Sequence, residues 1–199
     1  MGGISDDQVE WAVVHRLKQM LDDPPKTEFN VTQTFAHFTA ILMWTTQRIR
    51  VPHAAMPADR AAQRALRNLG QQQIADPPWS LSRQPPALEG AEILGDEREV
   101  NADFAGMSVE RFTIWLRNAL AHGDGRSISP IHKQSRRTGR EYLAGFAISN
   151  DRGQGTTLHL YHQDMIRIGK ALADNFCQEL SHGDEHFERE AVRVLEAAE

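Results

Sequence analysis

The side chains best suited to chemistry lie in one short run, Arg117-Asn118-Ala119-Leu120-Ala121-His122. An imidazole can accept or give a proton near neutral pH. A guanidinium can hold an anionic oxygen with its planar fork of donors. The run ends a stretch in which Phe112, Trp115, Leu116, Ala119 and Leu120 recur at helical spacing. Ser108 is a suitable N-cap, and Gly123-Asp124-Gly125 follows as a stop signal. A histidine at a helix C-terminus faces the negative end of the helix dipole, which favours its protonated form. Asn118 and His122 are four apart, so the amide can neighbour and orient the imidazole. Arg117 and His122 are five apart. On a straight helix they are rotated by ~140° and separated by ~7.5 Å along the axis. A joint site therefore needs the helix to end at His122, Arg117 to reach around, or a second copy to contribute.

Arginine and histidine separated by four to six residues is a weak pattern alone. Arg48–His53, Arg126–His132 and Arg152–His159 also satisfy it. Only Arg117–His122 combines it with the end of an amphipathic helix, an adjacent Asn and a following Gly. In that setting the segment from Phe112 to Gly123 resembles the signature of the HEPN superfamily. The resemblance implies a metal-independent endoribonuclease that needs no cofactor and acts as a homodimer, with motif helices meeting across a two-fold axis. It implies that Arg117 and His122 are catalytic and Asn118 supports them. The RNA's own 2′-OH would attack the adjacent phosphate. It also suggests a role in toxin–antitoxin or antiphage defence, with a cognate antitoxin or regulatory protein as a further partner. Some HEPN toxins carry a modifiable tyrosine two residues after the histidine. Asp124 stands there, so that control is not expected. The rival expectations are a HEPN-like module that binds RNA, nucleotide or protein without cleaving, and a purely structural dimerisation module. In the latter case His122 meets only terminal carbonyls and Arg117 is solvated.

Other candidates flank the motif. Lys133, Arg136, Arg137 and Arg140 could hold RNA phosphates, or simply form a solvated turn. Arg60, Arg64 and Arg67 share one helix face and read as exposed. His159 with His162, and His182 with His186, lack complete ligand sets, so no metal site is expected. His15 and His37 lie on apolar helices, and Cys177 reads as a small buried residue.

The elements that must position these residues can be read from apolar periodicity. Helices are expected over about residues 6–21, 32–48, 57–70, 108–122 and 163–180. A β-hairpin over 141–150 and 155–161 precedes the last long one. Residues 75–106, with Pro77-Pro78, Pro85-Pro86, Gly90 and Gly95, read as a long irregular loop pinned by Trp79. Residues 184–199 read as a short acidic helix or tail. The fold class predicted is mainly α, an antiparallel bundle of about five helices with an inserted hairpin, in a single domain over 1–199.

Composition excludes several classes. The 199 residues carry a net charge of −5 and one cysteine, Cys177. An internal disulfide is therefore impossible, and a uniformly cationic nucleic-acid binder is excluded. Residues 184–199 hold six acids and two arginines, −4 of that charge, which leaves −1 for residues 1–183. A local basic surface on the body is compatible with this balance. No apolar run approaches the ~18 residues of a membrane span, and the first residues lack a signal-peptide core. Asp6 stands where a myristoylation signal needs Ser or Thr. A cytoplasmic location with no membrane partner is expected.

Overall fold

A computed structural model describes residues 9–23, 29–47, 57–95, 99–122, 127–150 and 155–181. Apolar residues at three- and four-residue intervals build five α-helices among them: α1 (Val9–Asp22), α2 (Asn30–Thr46), α3 (Pro57–Leu69), α4 (Val109–Ala121) and α5 (His162–Ser181). α5 is the hub. Its stripe of Met165, Ile168, Leu172 and Phe176 is buried, and the helix packs on α1, α2 and α3. Gly169 makes that approach possible, because a Cβ there would lie 2.7 Å from Leu21 Cδ1 and 3.2 Å from Phe38 Cδ2. α2 is apolar on more than one face, with Phe38, Ile41 and Leu42 fully buried. Its last-turn threonines, Thr45 and Thr46, turn their hydroxyls back onto the Leu42 carbonyl.

The fold is a mixed α/β structure, which corrects the expected mainly-α bundle with an inserted hairpin. Four antiparallel strands form one curled sheet in the order β1 (Ala91–Ile93), β2 (Ile128–Ser135), β3 (Glu141–Ser149), β4 (Thr157–Tyr161). The expected hairpin is β3–β4. β2 escapes sequence reading because Ile-Ser-Pro-Ile-His-Lys-Gln-Ser has little strand character and contains Pro130. Its pairing explains the proline. Ser149 donates to the Ser127 carbonyl, so Ser127, Ser129 and Ile131 bond β3 while Pro130 turns its nitrogen the other way. β1 reaches only Lys133 to Ser135, so no strand asks for a donor at Pro130.

Residues 75–106 are not structureless, which corrects a second expectation. They contain β1 and a 3₁₀ turn (Ala102–Phe104), and Trp79, Leu81, Val100 and Phe104 are buried in the core. Trp79 pins the segment as expected, its indole donating to Gln72 Oε1. Asn101 adds a clasp. Its side-chain amide accepts from the His159 N–H at 2.8 Å and donates to the His159 carbonyl at 2.9 Å, pairing with β4 as another strand would. The same amide nitrogen reaches the Ser82 carbonyl at 2.7 Å. Asn101 has φ +58°, in the left-handed region, which Asn tolerates better than most residues.

No helix among the described residues is long and apolar enough to cross a membrane. The expected tail over 184–199 lies outside the described residues, as do His182, His186, Arg48, His53, Arg126, Arg152 and Gly123-Asp124-Gly125.

Candidate active site

α4 begins and ends as its sequence requires. Ser108 is extended, and its hydroxyl accepts from the Arg111 N–H at 3.3 Å. Val109, Phe112, Leu116 and Ala119 bury one face, and Trp115 meets Phe104 edge-on at 4.8 Å. With that face fixed, Arg117 and Asn118 are half-buried beside it and His122, the C-cap, is exposed.

Asn118 organises this end of the helix. Its backbone carbonyl accepts the His122 N–H at 3.1 Å and closes the last turn. Its side-chain Oδ1 accepts from Arg117 Nη1 at 3.2 Å and holds the guanidinium. The sequence suggested an Asn118–imidazole bond instead. Among the described residues the imidazole has no hydrogen bond, and the amide oxygen faces Arg117. α4 is helical through Ala121 and stops at His122, its C-cap, the helix end that a joint site within one chain was expected to need. The structure thus brings Arg117 to Asn118. Among the described residues no hydrogen bond joins Arg117 to His122.

The cationic candidates lie elsewhere. Lys133 sits half-buried on β2 between Ile93 and Tyr142. Arg136, Arg137 and Arg140 are exposed on the turn joining β2 to β3, and Arg136 lies 3.8 Å from Glu92. β2 starts at the α4 side and ends at this turn. The three arginines are therefore roughly 20–25 Å along the strand from its start, at ~3.3 Å per residue. On α3, Arg60 and Arg67 are exposed, whereas Arg64 reaches Glu179 on α5 at 3.2 Å.

The remaining histidines sit in structural surroundings. His15 stacks on Trp11 at 4.5 Å, His37 is half-buried on α2, and His159 is the residue that Asn101 clasps. His162 opens α5, with Nε2 2.9 Å from Thr34 Oγ1. Burial, and then the nearby Lys133 charge, hold its pKa below the usual 6.5. Cys177 is half-buried, with Sγ 3.8 Å from the Trp11 carbonyl. Among the described residues no group of three or more His, Cys, Asp or Glu is placed to hold a metal ion.

Sequence reasoning missed a polar cluster at the start of α5. Asp164 is fully buried, yet accepts from the Ser82 N–H and hydroxyl, the Tyr161 N–H and Arg167. Burial raises its carboxyl pKa, and the Ser82 hydrogen bond and Arg167 charge oppose that rise. Arg167 also donates to the Trp79 and Ser80 carbonyls. The cluster ties the 79–82 segment to α5. The available signal was an acid in the first turn of the last helix, three residues after Tyr161, where a capping side chain belongs. A cleft of about 590 Å³ runs along this side of α5 beneath Trp79. Its cations, Arg167 and Lys170, are already paired with Asp164 and Asp22.

No family model matches the chain, and no match is found among curated proteins or solved structures.

Proposed function

We propose that this chain is a HEPN-type, metal-independent endoribonuclease that works as a pair of identical copies. The observation that carries the reading is the end of α4. There Asn118 holds Arg117 by a hydrogen bond, and the same helix presents His122 to solvent at its negatively polarised terminus. In the proposed reaction His122 removes the proton from a ribose 2′-OH. The 2′-oxygen then attacks the neighbouring phosphorus, forming a P–O bond and a 2′,3′-cyclic phosphate. The bond to the 5′-oxygen breaks, and that oxygen leaves with a proton delivered by an imidazolium or water. Arg117 stabilises the charge on the non-bridging oxygens. Pairing two copies through α4 would set Arg117 of one copy beside His122 of the other. The defence setting, and an antitoxin or regulatory partner, rest on the resemblance of the Phe112–Gly123 segment.

The Arg117 side chain bonds Asn118 and makes no hydrogen bond to His122, which also fits a second reading, a module that binds RNA, nucleotide or protein without cutting RNA. One assay separates the two. Purified wild type, Arg117→Ala and His122→Ala are incubated with RNA in EDTA. The nuclease reading expects cleavage by wild type and at least a hundredfold loss in both variants. RNA binding without cleavage, equal in all three proteins, would overturn it.

A further inference from the structure

Among the described residues, the exposed large apolar side chains include only two aromatic ones, Phe29 at 62% and Tyr142 at 46% exposure. They are 113 positions apart in the chain, one preceding α2 and the other near the start of β3. Both line the same groove of about 420 Å³, together with Val31, Thr32, Arg140 and Glu141. That volume falls in the range of small-ligand sites, roughly 300–1,000 Å³. Two aromatic rings left in water beside an arginine form a combination that serves nucleobases well. Every base has a π-face to stack on, and the backbone phosphate seeks a cation. The adjoining turn adds Arg137 and Arg136 against Glu141 and Glu92, so its balance is cationic although the whole chain is acidic.

We propose that this groove is a subsite for an unpaired nucleotide of single-stranded RNA, its base stacked on Tyr142 and Phe29 and its phosphate against Arg140. The proposal rests on the ribonuclease reading for its substrate class and extends it to recognition. A duplex keeps its base faces stacked inside the helix, so the groove selects single strands. Neither Arg117 nor His122 lines it, so it acts on binding rather than on the bond being cut.

The test uses the full chain carrying His122→Ala, so that RNA survives the measurement. Binding of a short, unstructured, fluorescently labelled oligoribonucleotide is followed by anisotropy. Adding Tyr142→Ala or Phe29→Ala is expected to weaken binding about tenfold, whereas Tyr142→Trp preserves it. Arg140→Ala weakens binding and lowers the salt dependence by about one phosphate contact. All four positions altered are exposed, and unchanged melting temperatures confirm that the variants fold. The proposal is overturned if both alanine variants bind within twofold of the parent, if a blunt duplex of the same length binds as tightly, or if the single strand does not bind. The two readings fail separately. Groove-dependent binding by a wild-type chain that never cuts RNA removes the nuclease and keeps the subsite. Cleavage that needs Arg117 and His122, with binding indifferent to Tyr142 and Phe29, removes the subsite alone.

Discussion

Asn118 has two tasks at the end of α4, since its carbonyl closes the helix and its amide oxygen restrains Arg117. Only the second depends on its side chain. Asn118→Ala should therefore leave the helix intact and lower RNA cleavage by about tenfold, less than the loss in Arg117→Ala. A charge-assisted hydrogen bond is worth roughly 1.5–3 kcal/mol at most, and this one is half-exposed. Single-turnover rates against melting temperature would check this, and equal losses in the two variants would show that Arg117 needs no restraint. His162 gives a pH prediction. Folding lowers its pKa below 6.5, so on acidification the unfolded chain takes up this proton first. The associated stability is present above pH 6.5 and is lost as pH falls below it. The melting temperature should drop between pH 7 and 5.5, and His162→Gln should flatten part of that drop. Lys133 adds to the effect, because its charge repels the imidazolium. The helix that carries Arg117 and His122 was legible in the sequence, because its apolar period and its Ser108 cap mark it. The placing of Arg136, Arg137 and Arg140 on a strand-joining turn was not, because it depends on β2, whose residues have little strand character.

At the scale of elements, the helices were legible and half of the sheet was not. Met165, Ile168, Leu172 and Phe176 announce α5 by period alone, and the Ser108 cap announces α4. β1 is three residues long, and β2 hides behind Pro130 and its polar residues, although its partner β3 follows after a short turn. The Asn101 clasp was equally invisible. It needs both a left-handed backbone and the edge of β4, 58 positions away. Asn101→Ala should destabilise the protein by about 2–3 kcal/mol, leaving half-buried backbone groups of His159 without partners and forcing a Cβ residue less tolerant of positive φ into φ +58°. Asn101→Gly loses the same hydrogen bonds but not the backbone conformation, and should recover about 1 kcal/mol of that loss. Urea unfolding of the three proteins measures the difference. Identical midpoints for Ala and Gly would show that the backbone contributes nothing there.

For the whole molecule, the question is whether one copy suffices. If each site takes Arg117 from one protomer and His122 from the other, Arg117→Ala and His122→Ala subunits are inactive alone. Mixed and allowed to exchange, they form a pair with one site in which both residues are intact. Cleavage should then reappear, to within a few-fold of wild type. A mixture that stays inactive while subunit exchange is demonstrated would place the site within a single chain and defeat the paired arrangement. The Asn101 clasp bears on what kind of pairing remains open. With an amide seated against the outer rim of β4, and only a three-residue strand at the opposite rim, the sheet presents little template for a neighbour to extend it. A chain deprived of that amide should betray itself first on the shelf, as rising turbidity in concentrated stocks.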